Sequence, residues 1–424
     1  MKPSSRAVSS GPGLVFAVLL AIAVGKDAIA LETRGHVKLQ ATSTEIPADS
    51  LLRDFSDRPA NDQGIDARVI LADRSGGWEW QADYQLLARQ GDRLELRQRN
   101  PAFDFGAAAL PDDEFRALDL THYFSESEDR AVAHRLDRLY LGYTTSAMVV
   151  KLGRQAVSWG NGLLYNPVDF FNPFDPAAID TEYKTGDDML YTQYLRDSGD
   201  DLQAVWVLRR DDAGDIESEV SSLAFKYHGF AAGGEYDLLL AEHFDASVAA
   251  IGGAVDIGGA VWRGDAMLTD SGGDRFGSAV VNGSYSWIAW NHNLSASIEY
   301  FRNGFGIGDG DYSPPALAEN PELVERIRRG ELFTLAKDYL ALTATVELTP
   351  LWLLTTTLFN NLDDRSRLLQ LLSRHDLEQD MQLLLGLNLP AGSDGSEFGG
   401  IDSAVDGKLL STGNSLFAQL GWYF

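Results

Sequence analysis

Apolar and polar residues alternate one for one through most of this chain, in runs of about ten residues broken by Gly, Pro, Asp, Asn and Ser. Trp78, Trp80, Ala82, Tyr84 and Leu86 fall on one face of an extended segment, and Glu79, Gln81, Asp83 and Gln85 on the other. Leu340, Leu342, Ala344, Val346 and Leu348 alternate likewise with Thr343, Thr345 and Glu347, and Leu294, Ala296, Ile298 and Tyr300 with Ser295, Ser297 and Glu299. Such strands meet an apolar medium on one face and a wet one on the other. The pattern predicts 18 strands, near 33–42, 65–74, 78–89, 135–144, 147–155, 189–198, 201–210, 218–228, 231–241, 245–255, 257–268, 276–289, 292–303, 338–348, 351–361, 365–374, 380–389 and 414–424. One merged or split hairpin would make the number 16 or 20.

The connections carry independent information. Those at 43–64, 90–134, 156–188, 304–337 and 390–413 are long, and all of them follow odd-numbered strands. The others are tight turns such as Ser75-Gly76-Gly77, Ser198-Gly199-Asp200 and Thr349-Pro350. Short turns at one end and long loops at the other are the asymmetry of a transmembrane antiparallel β-barrel, which is the all-β fold expected here. One helix is predicted inside a loop, over 321–332, with Asn320 as cap, Pro321 in the first turn, Glu322 beside it and arginines toward its end.

The first 30 residues read differently. Lys2 and Arg6 precede an apolar run of 11 residues, Leu14 to Val24, and Ala28-Ile29-Ala30 supplies a small-residue cleavage pattern. That run falls short of the roughly 20 residues of a bilayer-spanning helix, so residues 1–30 are expected to be a cleaved export signal and 31–424 the barrel. Three cations and one anion leave with the signal, taking the net charge from −27 to −29. So acidic a chain is no ligand for nucleic acid, whose binding rests on Lys and Arg. With no cysteine, it has no disulfide framework or thiolate metal site. A closed strand ladder, which satisfies every backbone group internally, can hold an exported chain without either.

The last strand alternates Leu416, Ala418, Leu420, Trp422 and Phe424 with Ser415, Gln419, Gly421 and Tyr423, Phe417 being the bulky inward exception. A terminal Phe after such a strand resembles the signal read by the barrel-assembly machinery of Gram-negative bacteria, which makes Trp422 and Phe424 the candidate assembly signal. Elsewhere, Gly153-Arg154-Gln155 with Ser158-Trp159-Gly160, then Asn166-Pro167-Val168-Asp169, and Asp180 to Asp187 resemble porin-like outer-membrane proteins of Proteobacteria, including uncharacterised barrels and the alginate-export type. Asn361-Leu362-Asp363-Asp364 and the stretch Pro390 to Gly399 are similar too. The distinctive motifs cover only a small part of the chain. The resemblance implies an outer-membrane location, contact with lipid and lipopolysaccharide, delivery by periplasmic chaperones, and a channel or exporter whose solute it does not name.

The 156–188 loop holds Trp159, Tyr165, Phe170, Phe171, Phe174 and Tyr183 among three prolines, too many aromatics to leave in water. It is expected either to fold into the lumen as a constriction or to pack among outer loops as a plug. Arg154, Trp159, Asp169, Phe170, Phe171, Phe174 and Asp175 are the candidate constriction residues, with Arg154 read as a pin to Asp169 or Asp175. Strand phase turns Arg68, Arg138, Lys151, Lys226 and Arg263 inward, together with Asp83, Glu235, Asp237, Asp265, Glu299 and Glu347. Opposed charged walls favour polar, hydrated solutes, unless the charges simply pair across strands.

The seven histidines make no triad or metal spacing, so neither catalysis nor a metal or other cofactor is expected. Three readings remain: a channel for diffusion of small polar solutes or ions; a dedicated exporter or uptake channel for a polysaccharide or hydrophobic compound, with a periplasmic or inner-membrane partner; and a non-transport scaffold barrel.

Overall fold

In the computed structural model, residues 31–54, 58–99 and 110–424 are described; the export signal read over 1–30 lies outside them. Their strands are β1 (Glu32–Thr44), β2 (Ala60–Ser75), β3 (Trp78–Gly91), β4 (Thr121–Ser127), β5 (Arg130–Thr144), β6 (Met148–Gln155), β7 (Asp187–Leu195), β8 (Asp201–Val207), β9 (Ser222–Ala231), β10 (Gly234–His243), β11 (Ala246–Ile257), β12 (Ala260–Ser271), β13 (Asp274–Ala289), β14 (His292–Arg302), β15 (Asp338–Thr349), β16 (Trp352–Asn361), β17 (Arg367–Glu378), β18 (Met381–Ala391), β19 (Ile401–Asp402), β20 (Leu409–Leu410) and β21 (Ser415–Tyr423). β19 and β20 pair only with each other, and β4 only extends a hairpin with β5; the remaining 18 form one antiparallel ring. β21 closes it between β18 and β1, and the Gly35 and Phe424 backbones exchange two hydrogen bonds at the seam.

The alternation read from the sequence sorts side chains as predicted. Leu152, Phe225, Leu240, Ile251, Ile298 and Leu342 stand exposed on the outer face, while Arg68, Asp83, Asp265 and Glu299 of inward phase are buried. Each outward position next to a lumenal one forms an apolar belt that only lipid can cover without cost. All long connections leave at one end of the ring and two-to-five-residue turns at the other.

The differences lie in detail. β9 to β12 begin one to four residues later than the alternation predicts, because the turns fall at Ala232-Gly233 and Gly258-Gly259, where positive φ closes the two-residue hairpins. The connection between β3 and β5, read as irregular, carries a helix, α1 (Asp92–Arg99), as well as β4. The helix predicted over 321–332 stops early: a one-turn α2 (Pro314–Ala318) precedes α3 (Pro321–Arg328), and Gly330 at φ 69° ends the segment. The Asn320 side chain does not cap α3 but donates backward to the Ala316 carbonyl, 2.8 Å away.

Candidate functional site

The connection from β6 to β7 lies inside the ring, and its residues meet the inner wall strand by strand. Trp159 donates its indole N–H to Gln203 on β8 at 2.8 Å. The Asn161 backbone and side-chain amides both donate to Asp265 on β12, at 2.6 and 2.7 Å. Leu163, Leu164 and Tyr165 then give three consecutive backbone N–H groups to the Glu299 carboxylate on β14, at 2.6, 2.9 and 2.8 Å. Three N–H donors on one buried carboxylate replace the water that burial removes, and they set the height of the loop in the bore. Above Glu299 the Tyr165 ring stacks on Phe301, 4.9 Å between centroids, with Tyr339 and Phe359 beside it.

The loop then doubles back. Val168, Phe170 and Phe171 pack with Trp159 against Met189, Val205, Val207, Ala224, Leu239 and Val248, on the wall from β7 to β11. Burying one such aromatic side chain stabilises by about 2–3 kcal/mol, so this cluster is the main apolar anchor of the loop. Both phenylalanine rings also touch His243 at the end of β10, at 4.7 and 5.8 Å. Farther on, the Ala177 carbonyl accepts from Gln370 on β17 at 2.8 Å. β10 and β17 are seven strands apart in the ring of 18, so Asn172 to Pro176 bridge the bore and carry Phe174 and Asp175 across it. Ile179 packs where Gly386 of β18 leaves room, since a Cβ there would lie 2.6 Å from its Cδ1. Asp180 and Glu182 both pair with Lys38 on β1, at 2.6 and 2.7 Å, and Tyr183 lies between His36 and Arg68.

One internal knot holds the two arms of the loop together. Lys184 Nζ donates to the Val157 carbonyl at 2.6 Å, to Ser158 Oγ at 3.2 Å, and to the Asp169 carboxylate. Burial pushes the Asp169 carboxyl up to about 6 despite the lysine beside it, and the same burial draws Lys184 down.

Of the residues singled out from sequence, Trp159, Asp169, Phe170, Phe171, Phe174 and Asp175 all lie on the part of this loop inside the ring. Arg154 does not. It shares the outward phase of Leu152, and its guanidinium bonds Asp188, Asp113 and the Leu118 carbonyl, tying the 110–120 segment to the rim. The pin proposed between Arg154 and Asp169 or Asp175 is replaced by Lys184 on Asp169, because Arg154 lies within β6 on the outward face it shares with Leu152.

The lumenal charges form two facing groups. Lys38, Arg68, Arg135 and Arg138 stand on β1, β2 and β5, matched by Asp66, Asp83, Asp137 and the Asp180 and Glu182 of the loop. Asp137 is the extra residue of a bulge where Arg138 pairs with Asp83 and Leu136 with Tyr84, which turns two successive side chains inward. Across the bore are Asp237, Asp265 and Glu299 on β10, β12 and β14, met by Lys226 at 3.1 Å and by the amides of the loop. Lys151 bonds Glu79 at 2.8 Å, Arg263 donates to Ser284 at 3.2 Å, and Glu235 and Glu347 stand near the short-turn end. The pairing is thus nearly complete, and the loop supplies much of it.

Below the loop, toward the short turns, the inner wall changes character. Register places Ser297 between Ser284 and Thr343, and Ser295 between Ser286 and Thr345. Thr343 and Thr345 in turn meet the hydroxyls of Thr357 and Thr355, at 3.2 and 2.9 Å. Four adjacent strands therefore present an uncharged hydroxyl wall.

The closed 18-stranded ring, its apolar belt and its polar lumen are those of a transmembrane β-barrel of porin-like fold. The solved structures agree on the fold. OccAB2 of Acinetobacter baumannii superposes with a TM-score of 0.51 at 9% identity, covering 95% of this chain and 99% of its own. A BenF-like porin from Pseudomonas fluorescens Pf-5 gives 0.51 at 9%, covering 94% and 99%. OccK5 (OpdH) of Pseudomonas aeruginosa gives 0.50 at 10%, covering 93% and 98%. No protein-family profile and no curated protein sequence matches the chain.

Proposed function

We propose that this chain is an outer-membrane channel of a Gram-negative bacterium, through which small polar solutes or ions diffuse, with the 156–186 loop as its constriction. The observation that carries this reading is the loop itself. It lies within the ring, spans the bore through Phe174 and Asp175, and is held by partners on nearly every side of the wall. A scaffold barrel has no need of so closely seated a lumenal loop. The long-loop end then faces outward, toward lipopolysaccharide, and the short turns face the periplasm. Trp422 and Phe424, on the closing strand, are the residues that the assembly machinery would read. A BenF-like porin is among the proteins of similar fold, and the polar lumen favours the same use here.

The test is single-channel recording of the folded protein in a planar bilayer, with reversal potentials in a KCl gradient. Stable stepwise openings support the channel; silence from protein shown to be folded overturns it.

A further inference from the structure

Beneath the constriction loop, on its periplasmic side, is a 390 Å³ cavity between the loop and strands β6 to β8. Its size falls in the range of small-molecule sites. Trp159, whose indole N–H is given to Gln203, forms its roof.

The charges at this cavity are engaged with one another, two cations on a single carboxylate. Glu79 holds Lys151 at 2.8 Å on one oxygen and Arg74 on the other, and Lys151 also rests over the Tyr140 ring. What remains free is neutral. The Tyr191 hydroxyl, the Gln193 amide and the Thr144 hydroxyl line the cavity and hold no side-chain hydrogen bond among the described residues. They offer donors and acceptors together, with the Tyr191 ring as a flat apolar surface. The wall that faces them, about eight strands away around the ring, is the hydroxyl wall of β13 to β16, bounded by Arg263 on the neighbouring β12 and, toward the short turns, by Glu347, which accepts from Asn293 at 2.8 Å.

We infer that this cavity is a binding subsite for an uncharged, hydroxyl-rich solute of mono- or disaccharide size, a sugar or polyol, passing through the channel. The inference rests on the channel reading for its physiological meaning, though not for its binding. A charged solute would lose hydration here and find its counter-charges engaged with each other. A polyol exchanges its hydrogen bonds to water for equivalent ones to phenol, amide and hydroxyl, so it is held weakly enough to leave again.

Two measurements on the full folded chain test this. Saturation-transfer NMR in detergent reads contact with maltose, with gluconate as the charged comparison. Maltose contact is expected, with gluconate contact weaker, and the double variant Gln193→Leu with Tyr191→Phe weakens maltose by about tenfold, as loss of two hydrogen bonds requires. The single variant Tyr191→Phe, which keeps the ring and the packing, should lose part of that. No maltose contact, equal contact with gluconate, or an unchanged double variant overturns the subsite. In the bilayer, periplasmic maltose should interrupt an open channel in resolvable events, and an open channel indifferent to maltose overturns the inference. A silent bilayer with a maltose signal in NMR overturns the channel while leaving the subsite standing.

Discussion

The carboxylate of Glu299 accepts the backbone N–H of Tyr165 at 2.8 Å, across 134 residues of sequence and from the wall of the barrel to the loop inside it. With the N–H groups of Leu163 and Leu164 on the same carboxylate, this contact decides where the constriction lies. Glu299→Ala would leave three buried donors unmatched, at a cost of about 2–3 kcal/mol in the seating of the loop. The expected outcome is a larger and noisier unit conductance with the barrel still folded. An unchanged current trace would show that the loop is positioned elsewhere.

Among the described residues, Lys38 is the one cation that meets both Asp180 and Glu182. Lys38→Met leaves two neighbouring carboxylates without it, at a cost of about 1–2 kcal/mol, since Asp180 and Glu182 keep part of their hydration. Faster hydrogen exchange over 177–183 is expected, together with a reversal potential shifted toward cation preference. Retained exchange protection would refute the role of Lys38.

Glu331, in the outer loop between β14 and β15, pairs with His243 at 3.2 Å and with Arg326 at 2.8 Å. Burial alone would raise its carboxyl, but His243, Arg326 and Arg329 hold it down at about 2, below its ordinary 4.5. A lowered carboxyl stabilises fully above the ordinary value, and that contribution disappears as pH falls from about 4.5 toward 2. Proteolytic release of the 303–337 loop should therefore rise across that window, and Glu331→Gln should flatten the profile.

Gly35 is placed where a Cβ would lie 2.2 Å from the Arg68 carbonyl oxygen and 2.7 Å from the Phe424 ring. Gly35→Ala forces the first and last strands apart at the seam, and a lower yield of the heat-modifiable folded band on gels is expected. Removal of Phe424 should lower it as well, by losing its two backbone hydrogen bonds to Gly35 along with the assembly signal. Wild-type yield from Gly35→Ala would show that the seam adapts.

Much of the barrel was legible because its signal is local. Trp80 beside Gln81, or Leu342 beside Thr343, announces an outer and an inner face within two residues, and the later starts of β9 to β12 move only the strand ends and leave each face intact. Loop aromatics such as Phe170 and Phe171 were legible as residues needing burial. Lys38, Asn161, Asp180 and Lys184 were passed over, although the phase of Lys38 pointed it inward. Asp137 could not be read, because a bulge breaks the alternation that reading depends on.

Sequence by itself determined the 18 strands, their two faces, and the end at which the long loops gather, since period-two patterning and turn residues act over a few positions. Only the tertiary structure decided which charge meets which. Arg154 left the bore for Asp113 and Asp188, Asp169 took Lys184, and Glu299 took the backbone of a loop more than a hundred residues away. Those choices depend on ring closure and on the path of one loop through it, and both bring together residues that no local pattern connects.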